Sequence, residues 1–336
     1  MTHMRYLAAP DSFKGTFSAR EVAEAMARGV RDAGATAHAC PVADGGEGTL
    51  EVLLAARGGR RIEADAHDPL RRPLRAELGL LGDGETAVVE VAAASGLPLL
   101  APEERDPERA DSYGTGELIA AAIEAGAGTV LVAAGGSATT DGGSGAIEAL
   151  SERGVDDGDQ LRGGVRLEIV CDVEIPYEDA ARVFAPQKGA DAAAVERLTA
   201  RLEEFAATLP NDPRGVPMTG CAGGLSGGLW AAFGARLRPG ARFVLEQVGF
   251  DARLAAADAV ITGEGQIDDQ SLRGKIVGTI AELCHQAGKP LHVIAGRNAL
   301  DSDAAVAAHI ASIAEASTLE EIAAATRRLL AESPPA

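Results

Sequence analysis

Three times the sequence runs a short apolar segment into a polar, glycine-rich loop and then into a helical pattern. Residues 5–9 lead into Pro10-Asp11-Ser12-Phe13-Lys14-Gly15, and residues 129–134 lead into the loop Gly135 to Gly143. Residues 257–262 lead into Gly263-Glu264-Gly265-Gln266-Ile267-Asp268-Asp269, with a helix after Lys275. Repeated strand, loop and helix units dictate an α/β fold, and their loops gather at the carboxyl ends of the strands, where such sheets bind ligands. The first helix is marked at both ends. Ser18 and Glu21 form a capping box, Val22, Ala25, Met26, Gly29 and Val30 make an apolar stripe, and Gly34 follows it. With aromatics at only 3% of residues, the core must be built from Ala, Val, Leu and Ile.

Between the ends of the chain the pattern changes. Residues 60–81 alternate apolar and charged positions about an Asp68-Pro69-Leu70 turn, which predicts a β-hairpin. Residues 86–93 and 166–172 read as strands, residues 95–111 as a long loop, and Asp191 caps a scaffold helix carrying Val195, Leu198, Leu202 and Phe205. Thr318 with Glu321 caps a last helix to Leu330, and residues 333–336 read as a frayed end. The expected architecture is a doubly wound Rossmann/flavodoxin-like α/β domain made from both chain ends, residues 1–60 and 250–336. A mixed α/β domain, residues 61–249, is inserted between them.

A net charge of −19 argues against nucleic acid or an anionic membrane as partner and requires local basic residues for any anionic substrate. No apolar run reaches the roughly 18–20 residues of a membrane span, and residues 1–9 lack the apolar core of a signal peptide. Cys40, Cys171, Cys221 and Cys284 are scattered and predict neither a zinc site nor a disulfide framework, so a cytoplasmic location is expected. Cys171 and Cys221 read as small buried hydrophobes. Gly274-Lys275 lacks the rest of a P-loop, Gly114-Thr115-Gly116 lacks the third glycine of a dinucleotide fingerprint, and no histidine lies in a glycine-rich loop. A homo-oligomer is compatible with the sequence.

Five loops combine glycine with reactive side chains: residues 10–15, 44–49, 135–143, 186–189 and 263–275. Of 31 basic residues only 4 are lysine, all beside glycine, and Lys14, Lys188 and Lys275 lie in these loops. A lysine on open backbone is a compact point charge suited to phosphate. Asp44-Gly45-Gly46-Glu47-Gly48-Thr49 sets two acids and a hydroxyl among three glycines, which reads either as a ligand-facing loop or as a turn. Gly135 to Gly143 offers backbone N–H groups as an anion nest, with Ser137, Thr139 and Thr140 as hydroxyl donors. Glu264, Asp268 and Asp269 suit Mg²⁺, which prefers one or two carboxylates plus substrate phosphates, or are solvated loop acids. Asp172 stands at a strand end. Lysines, acids and phosphate nests without a His or Cys nucleophile match the needs of phosphoryl transfer.

The motifs Pro10-Asp-Ser-Phe-Lys14-Gly15, Ala43-Asp-Gly-Gly-Glu-Gly-Thr49, Gly135-Gly-Ser-Ala-Thr139, Cys171-Asp-Val173, Pro186-Gln-Lys-Gly-Ala190, Ala222-Gly-Gly-Leu225 and Ile261-Thr-Gly-Glu-Gly-Gln-Ile-Asp268 together resemble the bacterial glycerate kinase family. The resemblance implies two α/β domains with the site in the cleft between them, and ATP-dependent phosphorylation of D-glycerate, with 2-phosphoglycerate the favoured product. It implies Lys14 and Lys188 for charge neutralisation, and Asp44 or Asp172 beside the acceptor hydroxyl. Asp11, Ser12, Gly45, Gly46, Glu47, Thr49 and Arg273 would hold substrate. Gly135, Gly136, Ser137, Thr139 and Lys275 would hold the phosphates, with Glu264 and Asp268 at Mg²⁺. The chain departs from the family pattern at Ala185, at Gln266, and in short segments at 154–165 and 174–178. Those departures keep a non-catalytic glycerate- or nucleotide-binding paralogue in view, and the same acidic loops would also suit a Mg-dependent phosphohydrolase.

Overall fold

In a computed structural model, residues 4–158 and 160–332 are described; the expected frayed end at 333–336 lies outside them. Among the described residues the strands are, in chain order, β1 (Arg5–Ala8), β2 (Thr36–Ala39), β3 (Gly59–His67), β4 (Pro73–Leu81), β5 (Thr86–Glu90), β6 (Thr129–Ala133), β7 (Arg166–Cys171), β8 (Arg236–Pro239), β9 (Ala259–Ile267), β10 (Leu291–Asn298) and β11 (Ile310–Glu315). They form two sheets in two units, residues 1–44 with 241–336 and residues 45–240.

The sheet of the first unit has the order β2-β1-β9-β10-β11, with every pair parallel. The chain steps one way from β1 to β2 and the other way from β9 to β11. That reversal is the flavodoxin-like arrangement, and it opens a crevice at the carboxyl ends of β1 and β9. Strands buried on both faces need continuous apolar runs, which Leu7-Ala8-Ala9, Val260-Ile261 and Val293-Ile294-Ala295 supply. The helix Ala19–Asp32 starts with the expected reciprocal Ser18–Glu21 box and lays Val22, Met26 and Val30 against Ile261, Ile294 and Ile322. β9 is longer than expected. It pairs with β10 through Arg297 and Asn298, so Gly263 to Ile267 are strand, not loop.

The sheet of the second unit runs β3-β4-β5-β6-β7-β8 in chain order, antiparallel to β5 and parallel beyond it. The expected hairpin is present, with Ile62 opposite Leu78 and Ala64 opposite Ala76. The unit begins at Gly45, before the helix Thr49–Arg57 and not after it as residue 60 would have it. That helix packs on β4 and β5: Leu50 fills the space a side chain on Gly79 would need, and the Leu50 N–H donates to Glu90 Oε1 at 2.8 Å. Its other limit lies at Gly240, earlier than 249. The expected loop at 95–111 is partly ordered as a helix Ala92–Ser95 and 3₁₀ turns Leu97–Leu99 and Pro102–Glu104, both with proline in the first turn.

Gly29 decides between propensity and packing. Alanine is the better helix former by about 1 kcal/mol, but a Cβ here would run into the Ala323 carbonyl and lie 2.7 Å from Thr326 Cβ. Overpacking of this kind costs about 1–3 kcal/mol, so Gly29→Ala is expected to lower the midpoint of thermal unfolding. An unchanged or higher midpoint would show that the helix Leu319–Glu332 shifts freely.

Candidate active site

At the reversal of the first sheet, a cleft of about 520 Å³ is lined by Asp11, Lys14, Asp44, Glu264, Asp268, Lys275 and Arg297, among others. The loop after β1 is sewn to β9 by backbone bonds, Ala9 N–H to Ile261 O at 2.8 Å and Asp11 N–H to Gly263 O at 2.9 Å. Asp11 is 3% exposed, and its Oδ1 accepts the Ser12 N–H at 2.6 Å. Burial, and then the nearby Asp44 carboxylate, push the Asp11 carboxyl well above the usual carboxylate range. Lys14 Nζ lies 2.9 Å from Asp44 Oδ2, with the lysine side chain 55% exposed. The lysine is half open to water while the Asp44 carboxylate is largely buried, so the cationic head faces solvent at the mouth of the cleft.

Glu264 is incompletely satisfied in the cleft. Its Oε1 is buried without a hydrogen-bond partner, and burial raises its carboxyl to about 7 against the lowering effects of the Ser271 hydroxyl and the Lys275 and Lys14 charges. Asp268 differs: its Oδ1 accepts the N–H groups of Gln270 at 2.9 Å and Ser271 at 3.1 Å, which makes it a holder of its own turn. Among the described residues no three His, Cys, Asp or Glu side chains cluster as a metal cage. An unpartnered hard oxygen near two more carboxylates still suits a Mg²⁺ that keeps waters and substrate oxygens in its shell.

In the second unit the loop after β6 is built around a buried cation. Lys188 is 3% exposed, and its Nζ donates to Ser137 Oγ at 2.9 Å and to the Thr139 carbonyl at 2.6 Å. Burial depresses its ammonium to about 7, with the Asp141 charge acting the other way. Asp141 is structural. It accepts Ser112 N–H at 2.9 Å, Ser112 Oγ at 2.7 Å, Gly145 N–H at 3.0 Å and Gly143 N–H at 3.3 Å, and so fills the N-terminus of the helix Ser144–Glu152. The anion nest expected over Gly135 to Gly143 is therefore reduced to its first half. Glu90 plays the same part for the helix Thr49–Arg57, whose Gly48 cap sits at φ 92°. A side chain on Gly135 would come within 2.6 Å of Gly46 Cα, which explains glycine in both loops.

A sequence model of the glycerate kinase family matches residues 6–164 and 157–334. The chain is 41% identical over 332 residues to a glycerate kinase of Bacillus subtilis (strain 168), spanning 90% of this chain and 87% of that one. The chain belongs to the glycerate kinase family. A glycerate 2-kinase of Escherichia coli (strain K12) is 39% identical over 324 residues, covering 87% of this chain and 85% of its own. A crystal structure from Salmonella typhimurium LT2, assigned as glycerate kinase 2, superposes with a TM-score of 0.80 at 34% identity over 98% of each chain. The family is one of kinases, and the two-unit α/β fold is shared with that structure.

Against that family background, the first unit brings together Asp11, Ser12, Lys14, Asp44, Glu264, Asp268 and Lys275 around one cleft. The second brings together Ser137, Thr139 and Lys188, with Gly135 against Gly46. Asp172 directly follows β7 and is half-buried, Gly45 is buried, Gly136 and Glu47 are exposed, and Thr49 is buried with an unpartnered hydroxyl. Arg273 is exposed and does not line the cleft; Arg297 does. Arg297 lies within β10 and reaches the cleft only because that strand runs on to Asn298, two residues beyond Gly296.

The Glu264 carboxyl releases its proton near 4.5 in an unfolded chain and near 7 in the folded one. The folded protein thus binds more protons between those values, and the carboxyl lowers stability increasingly through that window and fully above it. Glu264→Gln is expected to be more stable than wild type by about 1–2 kcal/mol at pH 8 without Mg²⁺, and equal to it near pH 4.5. Thermal melts at the two pH values check this; a gain that is the same at both would assign it to packing.

Proposed function

We propose that this chain transfers the γ-phosphoryl group of ATP to D-glycerate with Mg²⁺, giving 2-phosphoglycerate, as a cytoplasmic enzyme. The observation that carries the reading is the cleft at the reversal of the first sheet, where lysines and carboxylates meet and Glu264 Oε1 is buried unpaired. Phosphoryl transfer asks little covalent work of a protein; it asks for phosphates held in place and charge neutralised. Lys14 and Lys275 supply two cationic heads in the cleft, and Lys275 is also the N-cap of the helix Ile276–Gln286, an end at which anions are favoured. Arg297 replaces Arg273 as partner of the glycerate carboxylate, because it lines the cleft and carries a planar fork of donors.

Glu264, with Asp11 or Asp44, would hold the metal, and Asp268 supports that loop from behind. When bound, Mg²⁺ would neutralise charge on the transferring group. Asp44 or Asp172 orients the acceptor hydroxyl. Lys188 with Ser137 and Thr139, and the adjoining Gly135-Gly136 backbone, form a second cradle for phosphate oxygens. Ser12, Gly45, Gly46, Glu47 and Thr49 position substrate. The name of the Escherichia coli relative, glycerate 2-kinase, supports the 2-hydroxyl as acceptor.

A coupled assay of ADP release, with and without D-glycerate and Mg²⁺, tests the reading, and NMR of the product locates the phosphate. Absence of glycerate-dependent ADP release overturns it; inorganic phosphate formed without glycerate would indicate a hydrolase. Asp44→Asn is expected to lower kcat by about 10²-fold or more with little change in KM, whereas Glu47→Gln raises KM for glycerate. Small and equal effects from the two would return residues 44–49 to a structural turn. Mg²⁺ is expected to raise the thermal midpoint of wild type but not of Glu264→Gln, a readout independent of turnover.

A further inference from the structure

Two cysteines from distant parts of the second unit meet in its core. Cys171 ends β7, and Cys221 opens the turn Cys221–Gly224. Both are free thiols, 3% and 1% exposed, and their sulfurs are 2.7 Å apart across a sequence separation of 50. A disulfide bond is only about 0.7 Å shorter than that. Cys221 Sγ also lies 3.3 Å from the Val173 carbonyl, so the thiol is held at the end of β7 from two sides.

The backbone around the pair is fixed independently of the sulfurs. The Cys221 carbonyl accepts Ser226 Oγ at 3.2 Å, and the Gly220 N–H donates to the Ile175 carbonyl at 2.9 Å. The turn itself runs through three left-handed residues, Ala222 at φ 51°, Gly223 at 68° and Gly224 at 89°. A side chain on Gly223 would run into the Thr139 carbonyl, and the Gly142 N–H donates to the Gly223 carbonyl at 3.0 Å. The sulfurs therefore join the β7 end, just before Asp172, to the turn that backs the Thr139–Gly142 segment.

We infer that Cys171 and Cys221 are a reversible dithiol/disulfide site, oxidised by thiol–disulfide exchange with a small-molecule disulfide. One cysteine, as thiolate, attacks a sulfur of the oxidant and displaces one thiol; the second attacks the mixed disulfide and displaces the other. The protein loses two protons and two electrons, and the oxidant is reduced to two thiols. Exchange is slow because both sulfurs are buried, and because the neighbouring thiol and burial raise Cys171 well above the ordinary thiol value. The oxidised chain stays active, since the sulfurs need only a small approach on a backbone already in place. It also gains thermal stability, because the bond closes a long loop in the unfolded state.

The test equilibrates the full chain with mixtures of oxidised and reduced dithiothreitol and counts thiols after denaturation. Starting from the four reduced cysteines, the count is expected to drop by one pair, with peptide mapping joining Cys171 to Cys221 and excess reduced dithiothreitol restoring it. The oxidised form is expected to melt about 5 °C higher, with kcat for glycerate-dependent ADP release within about twofold of the reduced form. Cys221→Ser should show neither change. A count that stays at four under the most oxidising mixture, or a bond mapped to other cysteines, overturns the proposal. So does a higher melting point that persists in Cys221→Ser. Because thiol count and melting point are read without turnover, failure here is distinct from failure of the kinase reading.

Discussion

The parallel pairing of β1 with β9 is the interaction on which the first unit depends. It registers Tyr6 with Ala259 and Ala8 with Ile261, residues from opposite ends of the chain, and continues as the backbone bonds from Ala9 and Asp11. Without that seam there is no reversal of strand order, and without the reversal no crevice for Asp11, Lys14 and Glu264 to share. Thr262 Oγ1 donates to the Ala9 carbonyl at 2.7 Å, so a buried hydroxyl also guards the seam where the backbone begins to diverge. The second sheet has no such reversal, and the unit's candidate side chains come from residues 45–49 and from the loops after β6 and β7.

Much of this was legible in the sequence because the signals are local. The Ser18–Glu21 box, the alternation across residues 60–81, and the run from apolar strand into Asp11 and Lys14 each involve neighbours a few residues apart. What the sequence hid is long-range. Asp141 reads as another acid in a glycine loop until Ser112, a residue 29 positions earlier, is seen to hold it. Glu90 reads as the end of a strand until the Leu50 N–H, 40 positions earlier, reaches it. Asp268 reads as a ligand-facing acid until its Oδ1 is found to accept the N–H groups of Gln270 and Ser271. An acid in such a loop serves a helix end as readily as a ligand, and composition does not separate the two.

Helix termini illustrate the same division. The helices Thr49–Arg57 and Ser144–Glu152 both follow glycine-rich loops, and both have their first N–H groups taken by an internal carboxylate. Such an end is already electrostatically satisfied, and an added phosphate there would meet a like charge. The helix Ile276–Gln286 has no side-chain cap and begins at a lysine that lines the cleft. Of the three, it is the end with no carboxylate against it among the described residues, although its Gly278 N–H is already donated to the Ser271 carbonyl at 3.1 Å.

The two sets of candidate groups are of opposite charge type and are perturbed for the same reason, burial without full compensation. In the first unit the groups held off their ordinary protonation are acids, Asp11 and Glu264, and what relieves them is a proton or a metal ion. In the second unit it is a cation, Lys188, whose partners among the described residues are a neutral hydroxyl and a carbonyl. Asp141 supports that ammonium from a distance but is itself occupied by N–H and hydroxyl donors, so the group that would restore the ammonium is an anion from outside. Under the proposed function, a divalent metal and a phosphate would be the charges that relieve the two arrangements separately. A fold that left either set fully paired would be more stable and would have less binding energy to offer them.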